Sequence, residues 1–353
     1  MTKFPKVPFT NRQRSDSSKP TNLEAEDALV SDEVDRHLRQ EGMVFRKSQG
    51  QYAVRAGERV VACSISNRLR KQLVYPIADP GSLRAHVVTV DDIRMVDPIA
   101  VGDWVQFVDG SDGSGMIVAV LPRRSKLVRR AAGPKPLEQV IVANVDQVIV
   151  ICAAHPAPSW ELVDRYLASA ESTELPARIC ITKMDLIKPG VLATEVANYR
   201  AMGYPVELTS ASSGAGVAAF AEVLHQRLSV LAGKSGAGKT SILNAVQPGL
   251  GLRVGAVSTQ TGKGKHTTSS LELFALDGGG GVVDTPGMRE FGLWDVQRDD
   301  IALLFREFRA FVGTCRFGLS CRHREEPGCA ITAAVAAGQI TPRRYQSYLR
   351  MAT

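Results

Sequence analysis

The sequence predicts a multidomain chain with three folded parts: a small β-barrel, an α/β domain carrying a phosphate-binding loop (P-loop), and a small helical segment around a cysteine cluster. Three observations predict it. Residues 42–122 hold short runs that alternate apolar and polar side chains between turn signals. Beyond about residue 138, apolar strands alternate with helical stretches, the pattern of a mostly parallel sheet. Cys315, Cys321 and Cys329 then gather around His323.

Taken in order, residues 1–41 read as a flexible arm. Its first twenty residues contain five basic residues, three prolines and one acid, too little apolar surface to offset ordering. Residues 42–122 include Gln51–Val54, Arg59–Ser64, Asp103–Val108 and Met116–Val120. Several short strands with turns between them suggest a small β-barrel, of which the OB-fold is the favoured form although strand alternation does not identify it. Residues 123–137 form a basic linker, with Arg123, Arg124, Lys126, Arg129, Arg130 and Lys135 and no acid between them. Residues 138–298 carry the strand–helix alternation, including Val148–Cys152, a helix from Trp160, and strands at Ala177–Ile181, Leu228–Ala232 and Gly281–Val283. Residues 299–353 are helical around the cysteines.

Composition bounds the chemistry. Hydrophobic residues make up 44% and charged residues 22% of the 353, ordinary for a globular protein able to bury its own cores. Basic residues exceed acidic ones, 43 against 36, for a net charge of +7. That excess fits a polyanionic partner such as RNA, and equally a solubility role. Six cysteines in a chain of this length do not make a disulfide framework. No apolar run is long enough to span a membrane, and the N-terminal residues lack a signal-peptide core, so a cytoplasmic protein with no membrane partner is expected.

Gly233-Lys234-Ser235-Gly236-Ala237-Gly238-Lys239-Thr240 fits the P-loop pattern, after a predicted strand and before a helix opening at Ser241. Glycines let backbone N–H groups wrap phosphates, Lys239 neutralises the β- and γ-phosphates, and Thr240 offers a hydroxyl to Mg²⁺. The other reading is a glycine-rich turn that happens to precede Lys-Thr. Thr182-Lys183-Met184-Asp185 ends a strand and is similar to the guanine-reading motif Asn-Lys-x-Asp. A carboxylate there accepts hydrogen bonds from guanine N1–H and the exocyclic amine, a pair adenine lacks. Thr182 replaces the usual Asn, which predicts a weaker brace to the phosphate loop. Thr209-Ser210-Ala211 follows the next strand, where a GTPase contacts the guanine oxygen. Asp284-Thr285-Pro286-Gly287 fits Asp-x-x-Gly, with Asp284 directed to Mg²⁺ and Gly287 to the γ-phosphate. Between them, Gly262–Thr268 reads as a nucleotide-sensing loop with Thr267 or Thr268 reaching Mg²⁺, or as a solvated surface loop.

The base-reading motifs precede the P-loop, the reverse of an ordinary GTPase, which implies a circular permutation. With Val140–Asp146, Asp164-Arg165-Tyr166-Leu167 and Asp284–Gly292, the chain resembles the bacterial ribosome small-subunit-dependent GTPase A family over about residues 42–350. The resemblance implies an OB-fold, a circularly permuted GTPase domain and a zinc domain, acting late in small-subunit maturation with GTPase activity stimulated by the subunit. Ras-like enzymes place a water-orienting Gln after Asp-x-x-Gly; here Met288 stands in that place. His266 is the candidate to complete the catalytic set with Lys239 and Thr240, the other reading being a surface His that contacts the partner.

Three thiolates and an imidazole are the ligand set of a closed structural zinc site. Cys321, His323 and Cys329 keep the family's spacing, while the gap from Cys315 to Cys321 is one residue longer. Partners implied are GTP and GDP, the small ribosomal subunit and its rRNA, bound by the barrel, arm and linker of a monomer. Two readings compete. One is an RNA-binding protein whose nucleotide site is a non-catalytic switch; the other, a P-loop ATPase or kinase, conflicts with Asp185. The permutation also runs the segment 287–293 directly into the zinc segment, so the sequence predicts that nucleotide state is passed to that segment.

Overall fold

A computed structural model describes residues 39–48, 50–66, 69, 97–110, 112–130, 138–250, 252, 271–284 and 296–352. The alternating runs at the start form β1 (Arg39–Ser48), β2 (Gln51–Ala56), β3 (Arg59–Ile65), β4 (Trp104–Asp109) and β5 (Ser114–Val120). They pair in the order β1-β2-β3-β5-β4, and β4 returns to β1, which closes a five-stranded barrel. β3 and β5 run parallel, and β2–β3 and β4–β5 antiparallel. Alternation does the building: Val44, Val54, Val61, Cys63, Phe107 and Ile117 point inward and are buried.

The stretch expected as a basic linker is partly a strand. β6 (Lys126–Arg130) pairs antiparallel with β7 (Glu138–Ala143) in a separate two-stranded sheet. Its charges face acids of the same fold. Arg123 grips the fully buried Asp103 with two bonds of 2.7 Å, Arg124 lies 3.4 Å from Asp146, and Lys126 lies 2.7 Å from Glu138. A charge run read alone suggests an RNA face; with neighbours known, much of it holds the junction together.

The α/β part places β8 (Gln147–Ala153), β9 (Ala177–Thr182), β10 (Val206–Leu208), β11 (Arg227–Ala232), β12 (Leu271–Ala275) and β13 (Gly280–Asp284) in the order β10-β9-β8-β11-β13-β12. All pairs are parallel except β12–β13. β8 is apolar on both faces because helices cover both. Val148 and Val150 share a core with Val163 and Leu167 of α1 (Trp160–Glu171). On the other face Ile149 and Ile151 pack with Phe220 of α3 (Val217–Leu224) and Ile242 of α4 (Lys239–Val246). The intervening helix α2 is Ala193–Ala201. Barrel and sheet are continuous rather than merely linked, since β12 also pairs antiparallel with β1. An antiparallel strand at the end of a sheet exposes an unpaired edge, and the barrel covers it.

The C-terminal part is short turns of 3₁₀ helix followed by α5 (Ala330–Ala336) and α6 (Pro342–Met351), packed around Phe305, Phe308 and Tyr348. Among the described residues, no helix is long and apolar enough to cross a membrane.

Candidate nucleotide and metal sites

Among the described residues, the motifs expected to read a nucleotide sit at the C-terminal ends of parallel strands: Lys183–Asp185 after β9, Ser210 after β10, Gly233–Gly238 after β11, with Asp284 closing β13. Open parallel sheets bind ligands along that edge. Residues separated by up to a hundred positions therefore meet there.

The phosphate loop turns from β11 into α4. Gly233 passes so close to β8 that a Cβ on it would lie 2.3 Å from the Ile151 carbonyl oxygen. Gly238 caps the helix at φ 89°, where an L side chain is strained, and its Cβ would meet the Thr182 hydroxyl at 2.9 Å. Helix α4 starts at Lys239, two residues earlier than expected, which sets Thr240 and Ser241 in its first turn, the end at which a helix favours an anion. The Lys239 ammonium donates to the Gly233 carbonyl at 2.8 Å, curling back over its own loop. Lys234, Ser235 and Gly236 are exposed on the loop rim, and Ala237 is buried beneath it.

On the base side, the Thr182 hydroxyl donates to the Ala237 carbonyl at 2.5 Å, and Lys183 Nζ donates to the Gly236 carbonyl at 2.9 Å. A hydroxyl bond from Thr182 thus ties β9 to the phosphate loop, with Lys183 alongside. Lys183 itself sits in the left-handed region at φ 58°. Ser210 Oγ donates to Asp185 at 2.6 Å, and Ser212 Oγ stands 3.1 Å from Ser210 Oγ. These Ser210 and Ser212 hydroxyls hold the Asp185 carboxyl below its ordinary pKa. Ser212 was not singled out in the sequence, where a Ser in a Ser-rich turn has no distinguishing signal. Met184 and Ala211 are partly buried and pack against the two cores flanking the site. His266, Thr267, Thr268 and Gly287, with Met288, lie outside the described residues, and Asp284 is described by its backbone alone.

The second site is in the C-terminal part. Ligand atoms of Cys315, Cys321, His323 and Cys329 lie within 4.8 Å of one another, and all four residues are buried. Cys315 Sγ and Cys329 Sγ stand 3.4 and 3.5 Å from His323 Nδ1 and 3.9 Å apart. A zinc ion with bonds of about 2.0–2.3 Å requires tetrahedral ligand atoms about 3.5–3.8 Å apart, close to the three pairs among Cys315, His323 and Cys329. A short helical turn, Gly318–Ser320, lies between Cys315 and Cys321, and Cys315 joins the cluster. Backbone N–H groups of Ala330 and Thr332 donate to the Cys315 and Cys329 sulfurs, the supporting bonds typical of thiolate sites. Burial lowers the His323 pKa, which favours the neutral imidazole a metal requires, and pushes the Cys321 thiol up to about 12. An ion is needed to hold that sulfur as thiolate.

A third constellation joins the two parts. Asp164 on α1 is fully buried and receives Arg343 and Arg344 of α6, each at 2.8 Å, with the Tyr199 hydroxyl at 2.5 Å. Arg344 also forks onto Glu307 at 2.6 and 3.0 Å. Asp164 entered the sequence reading only through resemblance; the arginines that explain it are some 180 residues away.

A family model described as RsgA GTPase matches residues 120–294. The small ribosomal subunit biogenesis GTPase RsgA of Gemmatimonas aurantiaca is 44% identical over 256 residues, covering 72% of this chain and 83% of that protein. Its Azotobacter vinelandii namesake is 41% identical over 276 residues, 77% and 79%. Among solved structures, YjeQ from Thermotoga maritima superposes with a TM-score of 0.67 at 32% identity, covering 89% of this chain and 98% of that one. YloQ, a circularly permuted GTPase, gives 0.64 at 27%, covering 90% and 94%.

Proposed function

The chain belongs to the RsgA family of small ribosomal subunit biogenesis GTPases, and on that premise we propose that its own site binds and hydrolyses GTP in a cycle of docking on, and leaving, the maturing subunit. One observation carries the site assignment: Thr182 and Lys183 of the base-reading segment hydrogen-bond Ala237 and Gly236 of the phosphate loop. A nucleotide spanning the two would meet a single braced surface rather than two loops.

Asp185, steadied by Ser210, reads two guanine donors. Lys239 leaves its loop carbonyl to neutralise the β- and γ-phosphates, and N–H groups of Gly233–Ser241 wrap them. Thr240 and Asp284 would hold Mg²⁺, which supplies charge neutralisation during phosphoryl transfer. In this proposal Thr267 or Thr268 would reach the same Mg²⁺, and the Gly287 N–H would sense the γ-phosphate. Met288 cannot orient a water, so His266, with help from the subunit, takes that role. Cys315, Cys321, His323 and Cys329 would hold a zinc ion, whose role would be to tie the C-terminal fold together.

For rRNA, the barrel and the basic arm supply the contacts we propose; residues 123–130 contribute less than their charge suggests, because Arg123, Arg124 and Lys126 are paired within the fold. The protein acts as a cytoplasmic monomer in this reading. Equilibrium binding tests the guanine assignment: GTP and GDP should bind at least tenfold more tightly than ATP. Equal affinity would overturn it.

A further inference from the structure

The backbone register puts the barrel in direct line with the nucleotide site. Asp284, the last residue of β13, pairs with Leu231 on one side and Glu272 of β12 on the other. Glu272 in turn pairs with Arg46 of barrel strand β1, and Lys47 with Leu271. One row of the sheet thus runs Leu231–Asp284–Glu272–Arg46. With strands about 4.8 Å apart, the Arg46 backbone lies only about 10 Å from that of Asp284. β12 is also the strand that follows Gly262–Thr268 in sequence.

The C-terminal part is held differently. Among the described residues, its ion pairs to the sheet domain end on α1 and α2: Arg350 on Glu161, Arg343 and Arg344 on Asp164, Arg306 and Arg309 on Glu171, and Arg343 on Glu195. Asp164 and Arg344 are almost wholly buried, so swinging this part away from α1 would strand a charge in the interior. Nothing in that contact lies in the row of Asp284.

We infer that nucleotide state is passed to the barrel through β12, while the zinc-bearing part stays fixed to α1. This reverses the direction expected from the chain order, where the covalent path from Gly287 pointed to the zinc segment. Coupling is carried by packed and hydrogen-bonded elements, and the paired strands β13, β12 and β1 form such a series. By linkage, engagement of the barrel by the subunit must then alter nucleotide affinity by the same factor.

The inference rests on the GTPase reading, and one experiment separates the two. Amide hydrogen exchange is followed on the full-length protein with GDP and with a non-hydrolysable GTP analogue. Peptides covering residues 43–48 and 271–275 should exchange at rates differing by roughly threefold or more between the two nucleotides, and those of α1 and α6 at equal rates. If the phosphate-loop peptide is protected by both nucleotides but residues 43–48 do not respond, the barrel route fails and the GTPase reading stands. A response at α6 instead also overturns it. If neither nucleotide protects the phosphate loop, both readings fall.

Discussion

At the residue scale, the guanine assignment hangs on one carboxylate whose environment is now visible. Asp185 is exposed, yet the hydroxyls of Ser210 and Ser212 depress its pKa. A depressed carboxyl stays ionised, and its base contact is lost only as pH falls through that lowered pKa. Guanine binding should therefore hold steady from neutral pH into the mildly acidic range. In Ser210→Ala the loss should begin at higher pH, measured as GDP affinity against pH. Asp185→Asn should weaken GDP binding on the order of 10- to 100-fold, as expected for losing hydrogen bonds to a charged group, and raise the affinity for xanthine nucleotides. Unchanged GDP and XTP affinities would contradict the assignment. Arg344 poses the stability counterpart. Arg344→Met leaves Asp164 and Glu307 without their shared guanidinium in a buried site. Breaking one side of such a cluster costs about 3–5 kcal/mol, which chemical denaturation would register as a lowered midpoint.

At the scale of elements, the sequence located strands well because their signals are local. The strands expected at Ala177–Ile181, Leu228–Ala232 and Gly281–Val283 are observed as Ala177–Thr182, Arg227–Ala232 and Gly280–Asp284. Turn glycines and apolar runs mark such ends without reference to the rest of the chain. What escaped is pairing between distant segments. β6 hid inside a charge run because Lys126 and Arg129 are matched by Glu138 and Gln139 on the partner strand. No periodicity reveals that. The zinc cluster shows the same division: the ligand types were legible, while the place of Cys315 depended on a three-residue turn at Gly318–Ser320. Since the four ligands lie inside the C-terminal core with Phe305, Phe308 and Tyr348, metal removal should loosen that whole element. We expect a strong chelator to release about one zinc per chain and to deprotect α5 and α6 in hydrogen exchange, with the barrel strands unaffected. Retained protection of α5 after complete zinc release would show that the ion is not structural.

At the scale of the whole molecule, permutation changes what the nucleotide sheet is joined to. The order β10-β9-β8-β11-β13-β12 keeps the phosphate-loop strand at the centre, between β8, with the base-reading strands β9 and β10 beyond it, and the Asp284 strand. Beginning the chain's passage at β8 leaves both ends of the domain free to carry other parts: a barrel before it and the part with the cysteine–histidine cluster after it. The barrel then closes the open edge at β12, and the zinc-bearing part is riveted to α1. This arrangement makes a GTPase whose two neighbours are held on opposite terms, one through the sheet itself and one through buried charge. Motif order made the permutation legible from the sequence; which neighbour shares backbone with the nucleotide site was not, because it depends on a two-residue register between segments over 200 positions apart.

The central claim, that this site is a working GTPase whose activity serves the small ribosomal subunit, is tested most directly by GTP turnover of the full-length protein with and without purified small subunits. Lys239→Ala is the control, expected to cost on the order of 100-fold or more because phosphate charge goes unneutralised. The account predicts slow turnover alone, a rise of at least about tenfold with subunits, and no rise for Lys239→Ala. Turnover indifferent to subunits, or equal in Lys239→Ala and the natural chain, would contradict it.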